Sequence, residues 1–246
     1  MVDELTQNRP EVVVAYDSLA PKYAEYSSQR LPYLDAVDDV VIQHLKPHNR
    51  LLDLGAGDGR RLEKIMQRSG VSDAVAIEPS PVMARLCRMK AGVPVHEIFA
   101  QDIEPAQIGR FDVVTALWNV FGHIPDSPAR LEALKKISAA LKPGGLLILD
   151  VNNRHNATAY GIVKVLLRTV VDTVWFKESR GDATYTWNQG DKIIRSKGHL
   201  FTPSETEKLF SQARLKILKR FSLNYVTGEV SHSRFRGQLL YILTPH

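Results

Sequence analysis

The stretch LLDLGAGDGR, residues 51–60, decides the fold class of this chain. Four strand-forming residues run directly into glycines at positions 55, 57 and 59, and the helical stretch RRLEKIMQRSG begins at Arg60. A strand that ends in closely spaced glycines and leads into a helix lets backbone N–H groups approach a ligand closely. Asp53 adds a carboxylate inside the strand itself. The stretch therefore predicts a ligand site at the carboxyl end of a buried strand.

Outward from this stretch, strand-like and helical segments alternate along the chain. Amphipathic helical segments separate apolar strand-like runs at 51–54, 74–78, 93–99, 111–117 and 146–151. Apolar runs that alternate with helices indicate parallel strands covered by helices on both faces. After a helix opened by a capping box from Thr202 to Glu205, the runs ILKRFSLNYV and GQLLYIL close the chain as an antiparallel pair. We predict an α/β fold with a doubly wound, mostly parallel, seven-stranded sheet whose last strand is antiparallel.

Composition narrows the class of protein. Of the 246 residues 44% are hydrophobic and 24% are charged, which is ordinary for a globular chain. There is no apolar run near 18 residues, so we predict no membrane span. The single cysteine, Cys87, cannot form an internal disulfide, which favours a reducing, cytoplasmic location and a role for Cys87 in the core. Residues 151–246 hold 15 Lys/Arg against 7 Asp/Glu. This excess could attract an anionic small molecule or nucleic acid, and the alternative is an ordinary solvated face.

Two kinds of cofactor suit a glycine loop between a strand and a helix. A dinucleotide fingerprint has its third glycine three residues after the second, whereas here it follows after two. Asp53 and Asp58 also place negative charge where a pyrophosphate would need neutral or positive surroundings. A cationic ligand with an amino group and a ribose, such as S-adenosylmethionine, fits these carboxylates better.

On these residues the sequence resembles class I S-adenosylmethionine-dependent methyltransferases, the Rossmann-like superfamily, over about residues 14 to 151. DLGAGDG resembles the first motif of that family, and AIEPS, AQDIE, FDVVTALWNVFGHIPD and LKPGGLLILD resemble the following motifs in order. The resemblance implies that Asp53 helps to hold the methionine end, that Glu78 accepts from the ribose hydroxyls, and that Asp102 accepts from the adenine amine. The alternative for these three acids is that they cap helices or turns. The resemblance implies cofactor binding by Tyr23, Asp53, Gly55, Ala56, Gly57, Glu78, Pro79, Met83, Asp102, Ile103, Leu117 and Trp118.

The alternation of strands and helices, which breaks after residue 151, also indicates a domain organisation. We expect a single methyltransferase domain over 1–246, in which 1–47 form an N-terminal helical cap and 48–151 the cofactor-binding core. Residues 152–200 are expected to be a small lid inserted after strand five, and 201–246 a C-terminal helix and strand pair.

Methyl transfer needs few catalytic side chains, because the sulfonium already activates the methyl carbon and the protein mainly aligns the reactants. His123 is the candidate for acid–base work and Asn119 could orient an acceptor. Packing is the alternative role for His123, for Trp118, and for Tyr16 and Tyr23 of the N-terminal helix. The candidate acceptor contacts in the lid are His155, Tyr160, Tyr185, Trp187 and His199. No spacing of Cys, His or carboxylates is typical of a metal site.

The sequence is consistent with three functions. The first is methylation of an oxygen or nitrogen of a small molecule enclosed by the lid, and the basic C-terminal part would suit an anionic one. The second is methylation of RNA, most plausibly tRNA, through the basic C-terminal part. The third is a regulator or scaffold that binds the cofactor without catalysis. The sequence fits a monomer or a homodimer and does not decide between oxygen and nitrogen as acceptor.

Overall fold

The computed structural model describes residues 9–189 and 192–246. Within that part the helices are α1 Glu11–Leu19, α2 Tyr23–Ser28, α3 Leu31–Ile42, α4 Arg60–Ser69, α5 Pro81–Ala91, α6 Pro105–Ile108, α7 Ser127–Ala140, α8 Ala157–Tyr160, α9 Ile162–Val174 and α10 Pro203–Gln212. The strands are β1 Arg50–Leu54, β2 Asp73–Ile77, β3 Val95–His96, β4 Phe111–Ala116, β5 Leu141–Val151, β6 Asp182–Gln189, β7 Lys192–His199, β8 Leu215–Leu223, β9 Val230–Ser231 and β10 Gln238–Pro245.

The main sheet has the order β3-β2-β1-β4-β5-β10-β8-β9. Strands β1 to β5 pair in parallel, and β10 runs antiparallel to both β5 and β8. The predicted α/β class, the mostly parallel sheet and the antiparallel last strand are therefore confirmed. The predicted count of seven strands is wrong, because β9 adds an eighth by pairing with Ser222 and Leu223 at the outer edge. A two-residue strand leaves no period that a sequence pattern could reveal.

The third strand is shorter than the sequence predicts. The apolar run 93–99 contributes only Val95–His96 to the sheet. Pro94 has no N–H to donate, although its carbonyl accepts from Ala76. At the other end, Phe99 leads into a 3₁₀ turn at Ala100–Asp102. The chain thus leaves the sheet early, beside the ends of β1 and β2.

Two hydrophobic layers cover the two faces of the sheet. Alternate residues of β1 point into different layers: Leu52 and Leu54 lie in the layer that contains α7 and α10 residues, and Leu51 lies in the layer with α3, α4 and α5. All three are fully buried. This double burial explains the unbroken apolar run of a central parallel strand.

Residues 152–200, the predicted lid, contain α8, α9 and the hairpin β6–β7. The hairpin forms its own two-stranded sheet. Ile194 of the hairpin packs with Ala15 and Leu19 of α1, and Trp187 lies beside this small cluster. The hairpin and the N-terminal helices therefore pack against each other.

Helix α9 is mostly open to solvent. Val165 and Asp172 are its buried residues, whereas Val174 is 82% exposed. Trp175, which follows the helix, is 74% exposed. No helix in the described ranges 9–189 and 192–246 has the length and apolar character needed to span a membrane.

The glycine at the start of α4 yields a first prediction. Gly59 has φ +81°, and a Cβ there would stand 2.6 Å from the Cα of Cys87 in α5. We expect Gly59→Ala to lower the free energy of unfolding by more than 2 kcal/mol, because left-handed strain adds to a backbone clash that no side-chain rotation can relieve. Denaturant unfolding measures the change.

Gly92→Ala is the matched control, because Gly92 has φ +65° but no atom within 4 Å of the added Cβ. That variant is expected to lose only the strain contribution of about 1 kcal/mol. Equal losses in the two variants would show that contact with α5 does not matter at Gly59.

Candidate functional site

The ends of three neighbouring strands meet at one edge of the sheet. Leu54 of β1 is in register with Ile77 of β2 and with Ala116 of β4. The next residues along the chain, Gly55, Glu78 and Leu117, therefore emerge side by side. The chain order reverses between β1 and β4, and in open α/β sheets ligands bind outside the carboxyl ends of the strands at such a reversal.

The glycine loop is built for close approach. Gly55 and Gly57 have φ +64° and +58°, values that favour glycine. A Cβ at Gly55 would lie 2.5 Å from the Val120 side chain, and one at Gly57 would lie 3.3 Å from the hydroxyl of Tyr23. Side chains at these two positions would fill the space between the loop and its neighbours.

Glu78 ties the glycine loop to the end of β2. Its Oε2 accepts from the backbone N–H of Gly57 at 2.8 Å, and its Oε1 accepts from the N–H of Ser80 at 2.9 Å. Ser80 in turn caps α5 by accepting from the N–H of Met83. Burial of Glu78 raises the pKa of its carboxyl to about 7, although these two hydrogen bonds oppose the rise.

Asp53 is a second buried carboxylate at this edge. It is 5% exposed, and its Oδ1 accepts from the hydroxyl of Thr115, its partner across the β1–β4 ladder, at 2.6 Å. Burial raises the pKa of the Asp53 carboxyl to about 6. Two carboxylates held in a poorly solvated place are ready to accept hydrogen bonds from a ligand or to neutralise a cation.

The raised pKa of Glu78 predicts how stability depends on pH. The folded carboxyl keeps its proton up to about pH 7, whereas the unfolded one has the ordinary pKa of 4.5. The folded protein then binds more protons between these values, so its free energy of unfolding falls as pH rises through this window. We expect Glu78→Gln, which cannot titrate, to flatten the fall in a series of denaturant titrations from pH 5 to 8. If the free energy of unfolding of Glu78→Gln falls as steeply with pH as that of the wild type, the pH dependence arises from another group.

Three clefts open around this edge. The first, called here the inner cleft, has a volume of about 710 Å³ and contains Glu78, Pro79, Leu117 and the glycine loop. Its remaining wall includes Val12, Phe99, Gln101, Val120, His123 and Ile124. Carboxylate at one end and apolar side chains elsewhere suit a nucleoside, whose hydroxyls need acceptors and whose base needs apolar cover.

The second cleft, called here the acidic cleft, has a volume of about 950 Å³ and contains Asp53, Ala56 and Asp38. Arg61 also lines it and donates from Nε to Asp38 at 2.5 Å. The Nη2 atom of Arg61 is buried and has no hydrogen-bond partner among the described residues. A buried guanidinium nitrogen left unsatisfied beside acidic side chains matches a ligand that carries both a carboxylate and an ammonium group.

The third cleft, called here the aromatic chamber, has a volume of about 380 Å³. Aromatic rings from four separate segments of the chain surround it, together with His123 and two asparagines. The aromatic residues are Tyr16, Tyr23, Tyr26, Trp118, Tyr185, Trp187 and Tyr225, and the asparagines are Asn119 and Asn152. Tyr23 and Trp118 line all three clefts. The aromatic chamber therefore adjoins the other two clefts at one shared wall.

A strained turn positions this wall. Trp118 and Asn119 are consecutive non-glycine residues with φ +65° and +64°. The buried carboxylate of Asp150 accepts from the N–H of Trp118 and from that of Asn119, and it also accepts from the hydroxyl of Tyr33. Consecutive left-handed residues persist only where their surroundings impose them, and they cluster at functional sites. The sequence did not single out Asp150 or Tyr33.

His123 is held in one orientation. Its Nδ1 lies 3.1 Å from the carbonyl oxygen of Lys197, which can only accept, so Nδ1 carries the proton. Its Nε2 is then free to accept from the hydroxyl of Tyr16, 3.1 Å away. Burial lowers the pKa of the imidazole. His123 therefore presents a neutral ring whose unprotonated nitrogen faces Tyr16 at the aromatic chamber.

The remaining predicted residues divide by position. Met83 and Ile103 are fully buried, and Ile103 lies in a hydrophobic layer. Asp102 is exposed and is not among the residues that line the three clefts, whereas its neighbour Gln101 lines the inner cleft. No pattern in the sequence marked Gln101, because its place depends on the 3₁₀ turn after β3.

Of the five candidate acceptor contacts in the predicted lid, Tyr185 and Trp187 line the aromatic chamber. The other three make contacts elsewhere. His155 lies 3.0 Å from Asp172, His199 lies between Asp182 and Glu205, and Tyr160 packs under Arg168.

Comparison with known proteins identifies the family to which this chain belongs. Residues 23–219 match the sequence model of a methyltransferase domain family. The chain is 27% identical over 179 residues to a ubiquinone biosynthesis O-methyltransferase and 26% identical over 149 residues to a tRNA U34 carboxymethyltransferase, both from Saccharophagus degradans. These matches cover 72% and 57% of this chain. They span 67% of the first relative and only 44% of the second.

Among solved structures, the methyltransferase CcbJ from Streptomyces caelestis superposes with a TM-score of 0.70 at 14% identity, over 96% of this chain and 99% of that one. The likeness at this identity supports the shared fold. With the family match across most of the sequence, it confirms the resemblance inferred from the motifs. The chain also has the fold of an S-adenosylmethionine-dependent methyltransferase from Clostridium acetobutylicum, with a TM-score of 0.63 at 15% identity over 92% of this chain and 98% of that one. The chain belongs to the methyltransferase domain family.

Proposed function

We propose that this protein transfers the methyl group of S-adenosylmethionine to an oxygen or nitrogen of a small molecule held in the aromatic chamber. The observation that carries the proposal is the wall formed by Tyr23 and Trp118, which borders the inner cleft, the acidic cleft and the aromatic chamber together. A cofactor lying across the first two clefts would then have its sulfur beside that wall, next to the chamber.

Each of the two cofactor clefts suits a different part of S-adenosylmethionine. In this proposal Glu78 accepts from the ribose hydroxyls, while Pro79 and Leu117 cover the nucleoside in the inner cleft. Asp53, near the glycine loop, faces the ammonium group in the acidic cleft, and the free Nη2 of Arg61 binds the carboxylate. Met83, Asp102 and Ile103, which the resemblance assigned to the cofactor, support the site from behind or from its rim.

The chemistry of the chamber follows from its polar groups. In the proposed reaction the acceptor atom attacks the methyl carbon in line with the departing sulfur, and alignment in a dry site supplies most of the acceleration. Asn119 and Tyr185 orient the acceptor, since the side chain of Asn119 lies 3.4 Å from the Tyr185 hydroxyl. His123, neutral and unprotonated at Nε2, can take a proton from an acceptor that arrives protonated.

The predicted lid fits this role. The hairpin β6–β7 supplies Tyr185 and Trp187 to the chamber, and it packs on α1 of the N-terminal helices. We propose that residues 152–200 and the N-terminal helices together enclose the acceptor.

A second candidate function is methylation of RNA. It is favoured by the similarity to a tRNA-modifying relative and by the excess of basic residues in 151–246. Against it, aromatic rings border the chamber on several sides, which suits a compact molecule.

A binding and transfer experiment tests the proposal. S-Adenosylmethionine and S-adenosylhomocysteine are expected to raise the melting temperature, since ligands that bind the native state stabilise it. Asp53→Ala is expected to lose this effect. Labelled methyl is then offered to a panel of small phenols, carboxylic acids and amines, and in parallel to bulk tRNA. Transfer to tRNA alone would overturn the small-molecule proposal, and stabilisation by neither ligand would overturn the cofactor assignment.

A further inference from the structure

We infer that the aromatic chamber recognises an amine, so that the acceptor is a nitrogen on which positive charge appears during transfer. This inference rests on the proposed function and names the chemical class of its acceptor. Three properties of the aromatic chamber support the inference: the arrangement of its aromatic rings, the charge of its lining, and the hydrogen bonds of the polar groups on the rings.

The rings form a connected cage. Tyr26 stacks on Trp118 with ring centres 5.6 Å apart, and Trp187 lies 6.0 Å from Tyr26 and 6.2 Å from Tyr16. Tyr185 adjoins Trp187 at 6.3 Å. The electron-rich faces of Trp and Tyr rings attract cations within about 6 Å, and cages of such rings bind alkylammonium groups.

The lining of the chamber carries no formal charge at neutral pH. Within residues 9–189 and 192–246, the ten residues that line it are seven Tyr and Trp, two Asn and His123, whose pKa burial lowers. An anionic acceptor would need Lys or Arg at this place to replace its lost hydration. The excess of basic residues in 151–246 therefore does not extend into the chamber wall. This absence of cationic side chains from the lining argues against an anionic acceptor.

Several of the polar groups on these rings already have partners inside the protein. Trp118 Nε1 donates to the Tyr225 hydroxyl at 2.9 Å, and the Tyr185 hydroxyl accepts from Asn152 at 2.8 Å. Tyr16 is paired with His123. These bonds fix the rings in the positions from which they border the chamber.

Charge movement in the reaction explains why such a surface suits a nitrogen acceptor. The amine lone pair forms the new bond to the methyl carbon, and the carbon–sulfur bond breaks with its electron pair passing to sulfur. The positive charge leaves the sulfur and appears on the methylated nitrogen, beside the rings. With a phenolate or carboxylate acceptor both charges vanish, and the rings would stabilise the transition state less than the reactants.

An amine that arrives in its protonated, ammonium form must lose a proton before its lone pair can attack. In this scheme an ammonium group bound in the chamber passes one proton to solvent or to Nε2 of His123, once the hydroxyl of Tyr16 gives up that nitrogen. The lowered pKa of the buried imidazole means that such a proton is readily passed on to water.

Binding of a cationic probe tests the inference independently of turnover. Choline and its neutral isostere 3,3-dimethylbutan-1-ol are titrated into the full-length protein, with and without S-adenosylhomocysteine, and affinity is measured calorimetrically and by tryptophan fluorescence. We expect choline to bind about tenfold more tightly than the isostere, as a desolvated cation–π site implies. Benzoate serves as the anionic probe and is expected to bind more weakly than choline.

Variants of Trp187 test whether choline binds in the aromatic chamber. Trp187→Leu is expected to abolish the preference for choline, and Trp187→Phe to restore part of it, because only the second retains a ring face. A merely structural role for Trp187 would weaken both probes equally. Equal affinity of the two isosteres in the wild-type protein, or tighter binding of benzoate, would overturn the inference. Methyl transfer to phenols with no choline preference would refute the amine acceptor alone, whereas absence of any transfer or cofactor binding would refute the proposed function.

Discussion

The variant Glu78→Gln is expected to raise the dissociation constant for S-adenosylmethionine about a hundredfold. Glu78 accepts from Gly57 and Ser80 with its two oxygens, and both partners are backbone N–H groups. A glutamine at this place must turn its NH₂ group toward one of them, so that two donors face each other in a buried site. It also removes the charge that would accept from the ribose. Loss of a hydrogen bond to a charged group costs about 1.5–3 kcal/mol, which corresponds to a factor of roughly ten to a hundred or more.

Isothermal titration at pH 8, where the wild-type carboxyl is ionised, measures this effect. Glu97→Gln provides the matched control, since Glu97 follows β3 on the same side of the molecule but is exposed and forms an ion pair with Arg88. Its cofactor affinity is expected to equal that of the wild type. An unchanged dissociation constant in Glu78→Gln would remove Glu78 from the cofactor site.

The variant Asp150→Ala is expected to lower the free energy of unfolding by about 3 kcal/mol and to lower kcat/KM about a hundredfold. The substitution leaves the N–H groups of Trp118 and Asn119 and the hydroxyl of Tyr33 without their shared acceptor. Buried donors without partners cost about 1–3 kcal/mol each, reduced where water can enter. The two left-handed residues then lose the contact that offsets their strain, so the wall between cofactor and acceptor moves.

Denaturant unfolding and initial-rate kinetics, once an acceptor is known, measure the two losses. Before that, the fluorescence response of Trp118 and Trp187 to the cofactor reports the displaced wall. Tyr33→Phe is the control, because it removes one donor to Asp150 and keeps both backbone hydrogen bonds. It is expected to cost about 1 kcal/mol and to leave turnover nearly unchanged. Full activity in Asp150→Ala would show that the turn holds its shape without the carboxylate.

Local sequence patterns were sufficient for the central part of the fold. The run LLDL, the glycines after it and the helix from Arg60 appear as predicted because a doubly buried strand and an amphipathic helix have distinct apolar periods. The capping box from Thr202 to Glu205 is likewise confirmed, since it involves residues only three apart. The eighth strand and the true length of β3 escaped prediction, because pairing of two or three residues depends on what lies beside them.

In the candidate site too, features set by local sequence were predicted, whereas features that depend on residues far apart in the chain were not. Asp53, Glu78 and the glycines could be placed together because they follow strands that a parallel sheet aligns. Asp150 and Arg61 could not, as each acts through a partner more than 20 residues away, such as Trp118 for Asp150 and Asp38 for Arg61. The aromatic rings of the chamber come from four segments that lie far apart in the chain, so the sequence named Tyr185 and Trp187 without separating them from His155 or His199.

Helices α1 and α2 have a consequence for the order of events in turnover. Tyr16 and Tyr23 belong to walls of the inner cleft and of the aromatic chamber alike, and Tyr26 closes the chamber from the same side. A cofactor that enters beneath these helices must displace them, and that movement opens the chamber. An acceptor bound beforehand would then lose its contacts with the tyrosines of these two helices. We therefore expect compulsory-order kinetics, in which the cofactor binds first, the acceptor second, and S-adenosylhomocysteine leaves last.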